Sequence, residues 1–171
     1  MLESGASDPW SQHTTLMFDV AYDQAECDSL CGELASAEQR LELLSRRELD
    51  LIQACRVASL RANVSFYTGQ FDRGVELGLQ YLALAGNALP KEPTEEDLVR
   101  EYARFRAQLG SRSIAQLADV PLSHDTLHAR VLELLCDLTL PARWGNHDKL
   151  HDLIACRAAT LCLEHGHTEA S

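Results

Sequence analysis

Three His-Asp dipeptides, His124-Asp125, His147-Asp148 and His151-Asp152, are the first candidates for chemistry in this chain. Imidazole and carboxylate are ligand types for divalent metals, and His147 and His151 stand four residues apart, which puts both on one face of a helix. The other candidates are six cysteines, Cys27, Cys31, Cys55, Cys136, Cys156 and Cys162. No Cys-x-x-Cys occurs, so neither a zinc knuckle nor a dithiol redox pair is written. Cys27 and Cys31 share a helical face and in principle ligate a metal, but thiols flanked by apolar residues in helical stretches read as core packing. No Gly-x-Ser-x-Gly elbow is present, and the run Gly110 to Ser113 (GSRS) lacks the preceding strand and following lysine of a phosphate loop. His147, Asp148, His151 and Asp152 fall in the first turns of a helix after a Gly-Asn loop, where polar groups collect for capping. Read from the residues, they are a solvated helix start: no catalytic residue, no metal and no cofactor is assigned.

The elements that carry these residues are helical. The organising stretch runs from Ser45 to Gly86 and reads as two antiparallel helices joined at the run Thr68 to Asp72 (TGQFD). Ser45 and Glu48 make a capping-box pattern at its start, and Gly69 suits the left-handed conformation of a helix end. Gly74 and Gly78 lie one turn apart in the second helix. Glycine inside a helix costs roughly 0.8–1.0 kcal/mol relative to alanine, so the pair implies a neighbour approaching closely. The pattern recurs 37 residues earlier, where Gly32, Leu34, Ala37, Leu41 and Leu44 take the offsets of Gly69, Phe71, Gly74, Gly78 and Tyr81. A helix, a Gly turn, an aromatic and then small residues, at a period near ~34 residues, is the tetratricopeptide (TPR) arrangement in degenerate form.

In chain order, residues 1–8 are expected to be a disordered lead. Asp8-Pro9 starts a helix running to Gly32. Pro90 and Pro93 forbid helix in the loop after Gly86. Thr94 caps the next helix, with Glu95, Glu96 and Asp97 at its positive end and Gly110 as its stop. A short helix is expected over 113–119, another over 122–140 ended by Pro141, and a last one capped by Asn146 and stopped at Gly166. The expectation is an all-α fold of about eight helices in one domain over 9–171. Antiparallel hairpins over 9–44, 46–86, 94–119 and 124–166 would stack as a TPR-like superhelix. The formal net charge of −11 argues against nucleic acid and membrane surfaces as partners, since both need a basic footprint. No apolar run approaches roughly 18 residues and no signal-peptide pattern opens the chain, so a cytoplasmic location is expected.

Several segments in fixed order then carry a resemblance. They are DPW at Asp8, AEC before the first turn, FYTGQFDRGVELGLQYLALAGNALPKEP, GSRSI followed by LADVP, PAR before the last helix, and LCLEHGHTEAS at the end. Together they resemble the TPR-like helical region of large bacterial signalling proteins. Those chains join a serine/threonine-kinase-like domain, an AAA/NB-ARC-like ATPase, this array, a GAF domain and a sensor histidine kinase. The resemblance runs from Asp8 to Ser171. It implies a piece of a longer polypeptide, and a non-catalytic scaffold that spaces or couples modules in signal transduction. The His-Asp pairs are also similar to those of HD-type metal-dependent phosphohydrolases, which are all-helical. The alternative expectation is therefore an enzyme of that class using His147, Asp148 and His151.

In a TPR-like array the concave face is lined by first-helix residues at set offsets from the turn glycine. Here those are Asp19, Tyr22, Glu26 and Ser29, then Arg56, Ser59, Asn63 and Phe66. Arginine and asparagine on such a wall can clamp a peptide carboxylate, while Asp19 and Glu26 would repel an acidic peptide. The expected partner is protein, either a peptide in this groove or neighbouring domains of the same polypeptide. The last helix, LHDLIACRAATLCLEHG, carries apolar residues on more than one face. One face is expected to bury against LHARVLELLCDL, and the other to self-associate or to await a neighbour outside the chain.

Overall fold

The computed structural model describes residues 9–112, 116 and 120–168. The expected disordered lead over 1–8 and the short helix over 113–119, save Gln116, lie outside the described residues. The fold is all-α, as expected. The helices are α1 (Pro9–Gln12, a single turn), α2 (Thr14–Leu30), α3 (Leu34–Ser45), α4 (Leu51–Tyr67), α5 (Phe71–Leu84), α6 (Glu95–Leu109), α7 (Thr126–Trp144) and α8 (Asp148–His165). Where one domain was expected over 9–171, packing divides the chain into two compact units, one ending at Glu48 and the other beginning at Leu49.

In the first unit α2 and α3 form an antiparallel hairpin around Phe18, Tyr22, Ala25, Ala37, Leu41 and Leu44, all buried. The rings of Phe18 and Tyr22 stack at 5.9 Å. Asp28 stands where such repeats often carry an aromatic, and a polar clasp replaces it. Its Oδ2 accepts from Ser36 Oγ at 2.6 Å and Arg40 Nε at 2.7 Å, while Arg40 Nη1 donates to Gln24 at 3.0 Å. These two donors hold the Asp28 carboxyl below the usual carboxylate range.

In the second unit α4 and α5 form a hairpin, α7 packs on both, α8 packs on α7, and α6 packs on α8. The two helical glycines mark close approaches. A Cβ on Gly74 would lie 3.0 Å from Ser65 Cβ of α4, and one on Gly78 would lie 2.4 Å from Leu138 Cδ2 of α7. The core around Leu138 is aliphatic, built from Val75, Leu82, Leu132, Leu134, Leu135 and Ile154, among others. The segment after α8 lies beside the one before α7: Ser123 N donates to His167 O at 2.7 Å and His167 N to Pro121 O at 2.9 Å.

Among the described residues one helix-ending turn leads straight into the next helix three times, and Gly86 (φ +75°, Asn87 N to Leu82 O at 2.7 Å) makes the same closure at the end of α5 but leads into the loop before α6. Gly32, Gly69 and Asn146 have φ of +83°, +71° and +61°, and the residues after them, Glu33, Gln70 and His147, have ψ of 54°, 53° and 55°. The amides of those followers reach back to Asp28 O, Ser65 O and Ala142 O at 2.8, 2.8 and 2.9 Å. This is the Schellman closure, in which the left-handed residue lets the chain reverse while capping the last carbonyls. The third copy escapes a search for turn glycines because asparagine enters the left-handed region without being glycine.

Several expected boundaries move. The helix expected from Pro9 breaks at His13 (φ −138°, ψ 48°). Ser45 and Glu48 do not cap a helix: Ser45 ends α3, its Oγ donating to Glu42 O, because Leu41 and Leu44 carry the buried stripe through that turn. The capping box forms five residues later, with Asp50 Oδ1 accepting from Gln53 N at 2.8 Å and Gln53 Oε1 from Asp50 N at 3.2 Å. Pro141 does not end α7, which runs on to Trp144. A proline in the last turn removes only the bond to the carbonyl four residues back, and buried Ala142 keeps the turn docked. Asn146 is the left-handed turn residue, and α8 begins at Asp148. The expected hairpin partner of α6, the short helix over 113–119, lies outside the described residues save Gln116, and the described neighbour of α6 is α8. α6 lies parallel to α8, with Glu95, Glu101 and Arg104 meeting Lys149, Arg157 and Glu164 in that order.

Candidate functional site

The expected groove residues of α4 follow a spacing of three, four and three, so Arg56, Ser59, Asn63 and Phe66 share one face. The structure brings that face against α7. Ser59 and Asn63 lie beside the Asp137 carboxyl, and the ring of Phe66 meets Trp144 edge-on at 6.4 Å. Both contacts run in the same direction along the two helices, so α4 and α7 are parallel neighbours. On α7 the matching face reads Arg130, Glu133, Asp137, Leu140 and Trp144. Arg130 Nη1 donates to Glu133 Oε2 at 2.5 Å.

The expected carboxylate clamp is not built. Asn63 lies beside the Asp137 carboxyl, which would repel a ligand's acid group when ionised, and Ser59 is only 4% exposed. Burial pushes the Asp137 carboxyl up to about 6, with the nearby polar groups of Ser59 and Asn63 opposing the rise and Glu133 adding to it. The middle of the face is thus a partly protonated acid near pH 6 and an anion above it. Its far end is aromatic. Phe66 is half-buried against Tyr67 at 5.4 Å and Phe71 at 5.9 Å, while Tyr67 and Trp144 are both mostly exposed. An apolar or basic side chain suits this face, and an acidic one does not. It carries no nucleophile with an activating base.

In the first unit Tyr22 is buried against Phe18, a core role and not a groove contact. Glu26 is exposed on α2 and Asp19 is half-buried.

The histidines of the His-Asp pairs are not gathered into one site. His147 Nε2 pairs with Asp72 Oδ1 of α5 at 2.6 Å, Asp148 pairs with Arg143, and His151 Nδ1 faces Asp152 at 3.0 Å. Asp125 caps α7, its Oδ1 accepting from Leu127 N at 2.9 Å and His128 N at 3.1 Å. Among the described residues no group of three or more His, Cys, Asp or Glu is placed to hold a metal ion. None of the six cysteines is in a disulfide. Cys55 and Cys162 are buried as expected, but Cys27 and Cys31 are exposed, because Phe18, Tyr22 and Ala25 supply the buried stripe of α2.

The face of α8 expected to lack a partner is covered by α6. Leu150, Leu153, Ile154, Leu161 and Cys162 of α8 are buried, while its Arg157 and Glu164 pair with α6. Among the described residues no helix is long and apolar enough to cross a membrane. No protein-family model, no curated protein and no solved structure matches the chain significantly.

Proposed function

We propose that this chain is a non-catalytic, TPR-like helical-repeat scaffold for a protein partner. The observation that carries the reading is the threefold recurrence of one helix-to-helix turn geometry at Gly32, Gly69 and Asn146. A chain that reverses the same way at each hairpin offers each hairpin the same face for stacking, and the packing of α7 on both α4 and α5 supports that reading. The α4–α7 face, acidic at Asp137 and aromatic at Phe66 and Trp144, is the partner surface we assign. It fits a segment with apolar and basic side chains, in keeping with the net charge of −11. In this reading the chain couples modules of a cytoplasmic, multidomain signalling kinase or ATPase.

The test is binding to the segments encoded on either side in the same reading frame, expressed separately and titrated by calorimetry. A stoichiometric complex is expected, weakened about tenfold by Phe66→Ala with Trp144→Ala. Failure to bind either segment, together with metal-dependent hydrolysis of phosphate esters that His147→Ala abolishes, would overturn the scaffold in favour of the HD-type enzyme.

A further inference from the structure

A cavity of about 330 Å³ opens between the end of α5, α6, α7 and α8. Leu127, Val131 and Leu161 give it an apolar wall, and the guanidinium groups of Arg104 and Arg157, with the rings of His128 and His165 beside them, give it a polar one. Arg157 Nε and Nη2 donate to the two oxygens of Glu101 at 2.7 Å each, and Arg104 Nε and Nη2 donate to Glu164 at 3.0 and 2.6 Å. Those forks orient both guanidinium groups and leave Nη1 of each for another acceptor. Neither glutamate lines the cavity. The one carboxylate that does, Asp125, is engaged as the cap of α7. His128 is buried, its Nε2 against Gly166 O at 3.1 Å, and the His165 ring lies edge-on to it at 5.1 Å.

We propose that this cavity binds a small organic anion with an apolar body, of the medium-chain carboxylate class. The carboxylate takes the free edges of Arg104 and Arg157, and the hydrocarbon lies over Leu127, Val131 and Leu161. The volume falls at the small end of the ~300–1,000 Å³ typical of ligand sites, which suits a chain of about eight carbons. Because Arg104 belongs to α6 and Arg157 to α8, the bound anion bridges the two helices. The docking of α6 then responds to ligand. The inference is independent of the partner surface on α4 and α7.

Octanoate titrated into the 1–171 chain tests it, followed by calorimetry and by the imidazole NMR signals of His128 and His165. Saturable binding at one site is expected, with both histidine signals moving and octanol failing to bind. Arg104→Gln, at a half-exposed side chain, and Leu127→Trp, which fills the cavity, are each expected to weaken binding about tenfold or more. Circular dichroism confirms that each variant is folded. No binding at millimolar octanoate, equal binding of octanol, or unchanged affinity in folded Leu127→Trp would overturn the proposal.

Discussion

α6 and α7 are both attached to the body of the second unit, by opposite means. α7 is held by shape: Leu138 lies over Gly78, and Val131, Leu132, Leu134 and Leu135 are buried around it. α6 is held by charge. Its one buried residue is Glu101, and the contacts that fix it to α8 are a row of ion pairs: Glu95 with Lys149, Glu101 with Arg157, and Arg104 with Glu164. Apolar packing gains from every atom removed from water and needs no partner of particular sign. An ion pair has value only in register, and the buried one is costly if half of it is lost. The two attachments should therefore respond differently to the same kind of change.

The largest effect is expected at Glu101. Its side chain is 7% exposed and that of Arg157 14%, so Glu101→Ala strands a buried guanidinium. A loss of about 3–5 kcal/mol in urea unfolding follows. Replacing both partners, Glu101→Leu with Arg157→Leu, is expected to recover most of it, since two apolar groups of similar size remove the unpaired charge. Equal losses in the single and double variants would mean that α6 is held by something other than this pair.

Asp137 is the buried acid inside the α4–α7 contact, and it sharpens the comparison through pH. Its folded value of about 6 lies above the ordinary carboxylate value of 3.8, so between those pH values the folded chain binds more protons than the unfolded one. Stability then falls as pH rises from about 4 to about 6, and the ionised side chain carries a cost on the order of 2–3 kcal/mol above that window. Asp137→Asn is expected to be more stable than the parent at pH 8 by up to that amount, with the difference closing below about pH 4. A constant difference across pH would show that Asp137 is not desolvated.

The α7 attachment was partly legible in the sequence and the α6 attachment was not. Gly74 and Gly78 announced close approaches, and both occur, against Ser65 and Leu138. Their partners were not readable, because nothing local says which helix arrives. α6 has acids at its start and arginines along its length, which reads as a solvated helix. The register that seats Glu101 on Arg157, 56 residues away, is a property of the folded unit alone. The same limit explains the groove. The spacing put Arg56, Ser59, Asn63 and Phe66 on one face, but Asp137, which lies against two of them, arrives from a distant helix.

Gly78→Ala tests the shape-based attachment directly. The new Cβ would sit 2.4, 2.5 and 2.8 Å from Leu138 Cδ2, Cδ1 and Cγ. Overpacking of this kind costs typically ~1–3 kcal/mol, and the better helix propensity of alanine returns ~1 kcal/mol. A net loss of about 1–2 kcal/mol is expected, partly relieved by Leu138→Val. A gain in stability would mean that Leu138 swings aside freely and that α7 is not keyed to this glycine.

The smallest effects are expected along the exposed part of the α6–α8 row, and their ordering is itself a test. Side-chain exposure across the row rises from 7% and 14% at Glu101–Arg157, through 14% and 44% at Glu164–Arg104, to 75% and 49% at Glu95–Lys149. Water screens the last pair on most sides, so Lys149→Ala is expected to change stability by no more than about 0.5 kcal/mol. Arg104→Ala removes a two-pronged contact whose carboxylate side is sheltered and is expected to cost about 1 kcal/mol, more than Lys149→Ala and less than Glu101→Ala. Raising salt to about 1 M shortens the screening length to ~3 Å, which should erase the Lys149 effect, reduce that of Arg104, and leave that of Glu101 nearly intact. If all three pairs instead weaken together with salt, the row acts as one exposed electrostatic strip, and the contrast between a charge-held α6 and a shape-held α7 reduces to surface against core.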